Sequence, residues 1–517
     1  VQKVLETEKP FKVVISETCH YYNDIIKIIC KKNGVRVKDR APSLKVRFNT
    51  WKKFQRPYYV EFLKRGKFFS RWLFSRFYGI KPFKKDKQII FGSFSYNWRK
   101  EFDLKQNSVV ERDAMVSDIM DIADEKGYTP LLIDIDYSPS IDLGLIKKKE
   151  AFARPFESYS NLGIWAESRK EYKRLLGLYR KNRKAILSSF KFNGIPLGRI
   201  FRRKFDFAIK YRFRESIMNI LIWKNILKEE NPLSVLAIDE FGLFGRSANA
   251  AAKMMDVKSI GMQHGMVGEN SYEYLYLNGE AEGDWRSPGA IVPKYLTTFG
   301  DITREFLIDA NHNPKNLIVV GQPRYDLLHW MRDNFDKTKL KDKLGIPKEK
   351  KAIFLATQPI PGNEKITYEV MKALEGREDV FLIIKTHPRE YDLDFYYEYA
   401  KKFGIDFKLF KSDLYETLFC SDLLITKNST VALEAMILDI PSITTNLTGL
   451  PDIFPFAKFN CTLQLDSAGL YKDSIFGLLF EEKKRKALLK KQNTFLSKYV
   501  YKIDGKASQR IFDLMIN

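Results

Sequence analysis

Cysteine and histidine are scarce in this chain. Its 517 residues hold four Cys (Cys19, Cys30, Cys420, Cys461) and five His. The cysteines stand at no spacing that suits a zinc site or a disulfide framework, which fits a reducing cytosol. No run of 18 uncharged apolar residues occurs, so no spanning helix is expected. The N-terminus has no signal-peptide pattern and no initiating Met, so the first few residues are expected to be missing or engineered. P-loop, nucleophile elbow and zinc-ligand cluster are all absent, and "GLFG" at 242–245 is no dinucleotide fingerprint. The pattern "DID" at 134–136 is too short to carry a metal pair, and Asp134 ends a strand anyway. Neither a metal nor a cofactor is therefore expected.

What is present is globular in kind. Hydrophobic residues make up 44% and charged residues 29%. A chain of this length exceeds one core, so at least two domains are expected. The net charge of +24 is unevenly spread. Residues 31–90 hold 19 Lys/Arg against 3 Asp/Glu, residues 166–230 hold 18 against 6, and the remainder holds 51 against 55. The whole cationic excess thus falls in two blocks of the N-terminal half. In the first block thirteen aromatics lie between Phe48 and Phe83, interleaved with the cations. Such a mixture along helices suits an anionic membrane surface, where rings enter the headgroup layer and cations meet lipid phosphate. Nucleic acid is the rival partner, because it attracts the same charges and its bases stack on rings. A solvated basic face over an aromatic core is the plain alternative.

Strand and helix patterns alternate along the chain, which predicts parallel sheets covered by helices on both faces. Strands are predicted at 9–18, 87–95 and 131–135, with a helix from Val109 to a stop at Gly127 between the last two. The block 166–230 reads as mostly helical. Strands follow in "PLSVLAIDEFG" at 232–242 and "VKSIGMQHG" at 257–265, and after a Gly/Pro-rich loop the rhythm restarts with "YLTTFG" and "NLIVVGQPRYD". The expected architecture is two Rossmann-like doubly wound domains with a cleft between them. Residues 1–285 would form the first, carrying basic helical insertions at 31–90 and 166–230. Residues 286–490 would form the second, and 491–517 a terminal helix packing back on the first.

Several strands end in clusters of polar side chains. "DLLITKNSTVALEAM" runs from a buried strand into Lys427, Asn428, Ser429 and Thr430 at a helix start. In an open α/β sheet, ligands meet the chain at the carboxyl ends of strands, where helix N-termini present free N–H groups. These donors suit a diphosphate; simple N-capping by Ser429 or Thr430 would need only one of them. "FLIIKTHPRE" likewise places Lys385, Thr386, His387, Pro388 and Arg389 at a strand end, where His387 can hydrogen-bond a phosphate oxygen. In the first domain one strand finishes in Asp239 and Glu240, the next in Gln263, His264 and Gly265. Asp239, Glu240 and His264 are candidate bases for an acceptor hydroxyl, although Asp239 could equally cap the following helix.

With these residues in view, the chain resembles two-domain glycosyltransferases of the GT-B architecture, those of surface-polysaccharide assembly above all. "VKSIGMQHG" is similar to the Gln-His-Gly strand end of CDP-glycerol glycerophosphotransferases and capsule transferases. "IKTHPRE" resembles the His-Pro motif shared with bacterial sialyltransferases and polysialyltransferases, and "TKNSTVALEA" resembles their Ser-Ser/Thr motif. "VVGQPRYD" and "DGKASQRI" occur at similar places, whereas "DEFG" departs from the sialyltransferase acidic motif at Phe241. The likeness covers residues 232–517 and none of 1–230. It implies a metal-independent transferase moving a sugar or glycerophosphate from a CMP- or CDP-linked donor to a surface-glycan or lipid-linked acceptor. A UDP-sugar donor ranks second. A UDP-sugar epimerase-like enzyme shares the fold, but the His-Arg-x-Glu-Asn run is absent. Donor contacts would come from Lys385, His387, Pro388, Arg389, Asn428, Ser429, Thr430, Gln358, Gly321 and Arg324, with Glu434 at the ribose. His264, Glu240 or Asp239 would be catalytic. The enzyme would be cytoplasmic and peripheral on the inner membrane face. A noncatalytic protein binding nucleic acid or another anionic polymer is the reading from another class.

Overall fold

The computed structural model describes residues 8–10, 12–15, 20–39, 44–78, 85–103, 106, 108–136, 152–192, 194–268, 271–282, 290–358, 362–387, 390, 392–410, 414–427, 429–448, 454 and 456–517. Two compact units result, one from residues 1–83 and 136–230, the other from 84–135 and 231–517. The polar strand ends all belong to the second.

The first unit opens with a small βαβ motif. Strand β1 (Lys12–Ile15) pairs in parallel with β2 (Arg36–Asp39), and the helix His20–Lys32 connects them. Gly34, at φ +69°, turns the chain out of that helix, a conformation that costs glycine nothing. Ile29, Cys30 and Ile195 bury together beneath the motif. The unit also holds a short strand, β7 (Ala153–Pro155), and three long helical stretches, Leu44–Phe77, Leu162–Ser189 and Phe213–Glu230.

The helix Leu44–Phe77 is turned inside out. Over its described side chains the covered face is polar: Glu61, Lys67, Arg71 and Ser75 are all buried. Arg71 reaches Glu157 at 3.1 Å and Asp136 at 3.3 Å, and Lys67 reaches Asp136 at 2.7 Å. The open face is apolar, with Phe62 74% and Phe77 82% exposed beside Tyr59, Phe69 and Leu73.

In the second unit, strands β3 (Gln88–Phe94), β6 (Thr129–Ile135), β8 (Ser234–Ile238), β9 (Lys258–Met262), β10 (Tyr295–Thr298) and β11 (Leu317–Val319) form one parallel sheet. Their spatial order is β11-β10-β9-β8-β3-β6. A second parallel sheet contains β12 (Lys351–Ala356), β13 (Val380–Lys385), β14 (Phe407–Phe410), β15 (Leu423–Thr426), β16 (Ser442–Thr445) and β17 (Leu463–Leu465), in the order β14-β13-β12-β15-β16-β17. This is the 3-2-1-4-5-6 winding of a doubly wound fold, with its switch point between β12 and β15. In the first sheet the winding reverses between β3 and β8. Alternate residues of β12 enter opposite cores, Phe354 and Ala356 one, Ile353 and Leu355 the other, so its strands read as continuous apolar runs.

The expected α/β class is what the structure has, and three local expectations change. First, the segment starting at Val109 does not begin as a helix. Residues Trp98–Asp103 (β4) and Ser108–Asp113 (β5) form an antiparallel hairpin, and the helix is confined to Ser117–Glu125. Arg112 fixes it through Asp103 at 2.9 Å, Asp118 at 3.0 Å and Asp121 at 2.6 Å. Second, the boundary expected near residue 285 falls inside the first sheet, because β10 and β11 join it; the sheets change between Val319 and Lys351. Third, the strand near residue 12 and both basic blocks lie largely in the first compact unit instead of forming parts of the first sheet's domain.

Toward the end of the chain, Tyr501 N–H bonds Phe299 C=O at 2.7 Å. The terminal helix Ala507–Ile516 is capped by Asp326, whose carboxylate accepts from Ala507 N–H at 3.0 Å and Ser508 N–H at 2.8 Å. Lys258, which starts β9, closes the far end of that helix on Met515 C=O at 3.3 Å.

Candidate active site

The second sheet brings its polar residues to the carboxyl ends of three adjacent strands. β12 runs into Thr357 and half-buried Gln358, β13 ends at Lys385 ahead of Thr386 and His387, and β15 runs into Lys427, Ser429 and Thr430. The ladder outlasts the strands: Thr357 N–H donates to Lys385 C=O at 3.1 Å, and Thr426 Oγ1 to Ala356 C=O at 3.0 Å. Pro388, Arg389 and Asn428 lie outside the described residues.

Individual side chains divide the work differently from the expectation of a purely ligand-facing cluster. Ser429 Oγ accepts from Val431 N–H at 3.3 Å, so it takes the capping role at the short helix Val431–Ile437. Lys427 is 8% exposed and donates to Thr448 Oγ1 at 2.9 Å. Glu434, expected at a ribose, is 1% exposed, and its Oε1 faces Arg324 Nη2 at 3.3 Å. Arg324 also donates to Tyr415 OH at 2.7 Å. Burial opposes the Arg324 charge, but Tyr415 and Glu434 outweigh it and raise its pKa. Gly321 turns at φ +89°, and a Cβ there would stand 3.3 Å from Ala507 Cβ of the terminal helix. Arg324 and Glu434 thus form an ion pair in which the carboxylate is buried and the guanidinium partly so. Their spacing of 110 residues left no sign of this in the sequence.

The neighbouring residue Glu390 was not singled out by the sequence. Its carboxylate accepts from Thr357 Oγ1 at 2.7 Å, His387 N–H at 3.2 Å, Tyr396 OH at 2.8 Å and Asn363 Nδ2 at 3.3 Å. Tyr396 belongs to the helix Asp394–Phe403 and Asn363 opens the helix Asn363–Ala373.

In the first sheet, β8 gives way to Asp239, held at φ +59° in the left-handed region, a sparsely used conformation for a residue other than glycine. Its carboxyl lies so close to Gly242 that a Cβ there would come within 2.1 Å of Oδ2. Burial, with Glu273 adding to it, pushes the Asp239 pKa up to about 6. Glu240 is 3% exposed and accepts from Tyr274 OH at 2.6 Å. Burial pushes its pKa up to about 7, and its Oε2 has no partner. Only glycine fits at position 261, since a Cβ would stand 2.7 Å from Glu240 Cβ. Of the two acids, Asp239 is therefore the one at the rim and Glu240 lies beneath it. The nearby His264 stacks on Phe241 at 5.7 Å between ring centroids. Burial lowers its pKa, which keeps the imidazole neutral at pH 7, and its buried Nδ1 has no hydrogen-bond partner. Gln263 is structural: it accepts from Phe299 N–H at 2.8 Å and donates to Gly265 C=O at 2.8 Å. Among the described residues no group of three or more His, Cys, Asp or Glu could hold a metal ion.

Residues 264–446 match the model of the CDP-Glycerol:Poly(glycerophosphate) glycerophosphotransferase family. The matched span starts at His264 and takes in β12, β13, β15 and their polar ends. That span, well under half of the chain, resembles a transferase domain of this family. The chain is accordingly an enzyme of the transferase class, of the two-sheet GT-B kind used in surface-polymer assembly. No curated protein sequence matches it. Among solved structures, the wall teichoic acid polymerase TagF is 14% identical over 90% of this chain and 97% of its own, with a TM-score of 0.46. A glycosyltransferase from Rickettsia africae is 12% identical over 84% and 100%, with a TM-score of 0.48. The UDP-GlcNAc 2-epimerase of Neisseria meningitidis, solved with UDP-GlcNAc bound, is 10% identical over 83% and 99%, also at 0.48.

Proposed function

We propose that this enzyme moves a sugar or glycerophosphate group from a nucleotide-activated donor to a hydroxyl of a surface-glycan or lipid-linked acceptor. A CMP- or CDP-linked donor is the first choice and a UDP-sugar the second. The observation that carries the reading is the meeting of the ends of β12, β13 and β15 at the switch point of the second sheet, inside the span that matches the family. Donor phosphates placed there would meet Lys385, His387, Ser429 and Thr430.

The acceptor oxygen attacks the transferred group and loses its proton to a base. The bond from that group to a nucleotide phosphate oxygen breaks, and the electron pair leaves with the nucleotide. Hydrogen-bond donors and cations aimed at that oxygen favour the step because they meet charge as it develops. His264, neutral at pH 7, is the first candidate for the base; Asp239 is the second. Since cationic side chains can neutralise the leaving group, turnover should survive EDTA.

His387→Ala should weaken nucleotide binding and turnover, and Ser429→Ala with Thr430→Ala should do likewise. Titration of these variants with CMP, CDP, UMP and UDP checks this. Unchanged affinity for all four nucleotides would remove the donor-site reading.

The apolar open face of the helix Leu44–Phe77 supports a further part of the proposal, peripheral attachment to the inner face of an anionic membrane. No described helix is long and apolar enough to cross a membrane.

A further inference from the structure

We infer that Glu390 is the positioning residue that holds His387 at the donor site, an inference that rests on the reading of His387 as a donor ligand. The carboxylate receives its four hydrogen bonds from four separate places: the exits of β12 and β13 and two helices, Asn363–Ala373 and Asp394–Phe403. Glu390 N–H also donates to His387 C=O at 2.9 Å. One residue therefore grips the main chain of His387 at both its N–H and its C=O. Thr357 locks the grip to the neighbouring strand, since its Oγ1 lies 2.7 Å from Glu390 Oε1 and its N–H is bonded to Lys385 C=O.

The chemistry of the side chain matters as much as its place. Four donors converge on it, so the position calls for a group that only accepts, which is what an ionised carboxylate is. Fully buried Tyr396 anchors one oxygen, with Asn363 Nδ2 3.0 Å from the same hydroxyl. Glutamine would set an NH₂ against that tyrosine hydroxyl and the Asn363 amide, donor against donor. Hydrogen bonds to charged groups are the stronger kind and orient what they hold.

The test is a cycle of variants, titrated with CDP, assayed for turnover and melted thermally. Glu390→Gln should weaken CDP binding by about ten- to a hundredfold while the protein remains folded, the loss expected of one or two charge-assisted bonds. Asn363→Asp added to Glu390→Gln supplies an acceptor for the new NH₂ and should recover most of the affinity. Thr357→Val, which removes one bond from Oε1, should act in the same direction more weakly. On a His387→Ala background neither change should weaken CDP further, because the imidazole through which Glu390 acts is gone while the main chain remains. Additive losses on that background, or wild-type affinity in Glu390→Gln and Thr357→Val, would overturn the inference. If His387→Ala itself binds all four nucleotides like the wild type, the donor-site reading falls and this inference falls with it. If His387→Ala is weak and Glu390→Gln is not, only this inference falls.

Discussion

Asp239 and His264 are the two side chains at the first sheet's strand ends that could take a proton from an acceptor. Asp239, with its pKa near 6, is ionised at pH 7, and His264 is neutral there, so both are able to accept. A base must be deprotonated to work, so kcat/KM should fall as the pH drops through the pKa of whichever group serves. We expect His264→Ala to lower turnover by about 10²- to 10⁴-fold and to abolish that acid limb, with nucleotide affinity kept. The same signature in Asp239→Ala, and its absence in His264→Ala, would hand the role to Asp239. Glu240 makes a different prediction, one about stability. Its folded pKa of about 7 lies above the ordinary 4.5, so its contribution is fully present below pH 4.5 and is lost as the pH rises through 7. The difference amounts to about 3 kcal/mol at pH 8. Glu240→Gln stays neutral and keeps an acceptor for Tyr274, so it should resist urea better than the wild type at pH 8 and equally near pH 4.5. A lower midpoint for the variant at pH 8 would refute a buried charge there. The sequence pointed to the residues at these strand ends. It could not say which acid was covered, because Tyr274, 34 positions away, does the covering.

At the level of elements, the strands of the second unit were legible because parallel strands buried on both faces are unbroken apolar runs. Val380–Lys385 and Leu423–Thr426 carry that signal with their polar ends attached. The same property hid which sheet each strand joins: Tyr295–Thr298 and Leu317–Val319 look no different from strands of the second sheet. The hairpin β4–β5 was missed for another reason. Its second strand, "SVVERD", reads equally well as the first turns of the helix behind it, and only the pairing with Trp98–Asp103 and the packing of Phe102 on Trp330 and Phe335 decide the matter. In the helix Leu44–Phe77 composition announced cations and rings but not their sides. Arg71, 1% exposed between Asp136 and Glu157, turns the polar side inward and leaves the rings open. If that open face enters a lipid surface, Phe62→Ser with Phe69→Ser and Leu73→Ser should lower binding to anionic vesicles at least tenfold, since each buried large side chain contributes roughly 1.5–3 kcal/mol. Nucleotide affinity should be untouched. Equal vesicle binding by this variant and the wild type would discard the apolar contact.

For the molecule as a whole, the net charge of +24 arises from the two N-terminal blocks, while the remainder, which holds the polar strand ends, is slightly acidic. An enzyme so divided can hold to an anionic surface through one region and use a donor in another, and the two activities should separate experimentally. Electrostatic attraction to an anionic bilayer is worth about 1 kcal/mol for each Lys or Arg near the surface and is screened beyond roughly 10 Å at 0.1 M salt. Wild-type protein should therefore bind vesicles rich in anionic lipid tightly at low salt and lose most of that binding toward 0.5 M, with neutral vesicles bound weakly throughout. Replacing exposed cations such as Arg65 and Arg76 with Gln should flatten the salt dependence and leave donor hydrolysis intact. Nucleic acid offers the same charges without an apolar layer, so the rival reading makes its own forecast. Under it, polynucleotide would bind as tightly in the Phe62→Ser, Phe69→Ser, Leu73→Ser variant as in the wild type, and anionic vesicles would be ignored by both. Wild-type protein that floats free of anionic vesicles at low salt would end the membrane proposal, whatever its transferase activity.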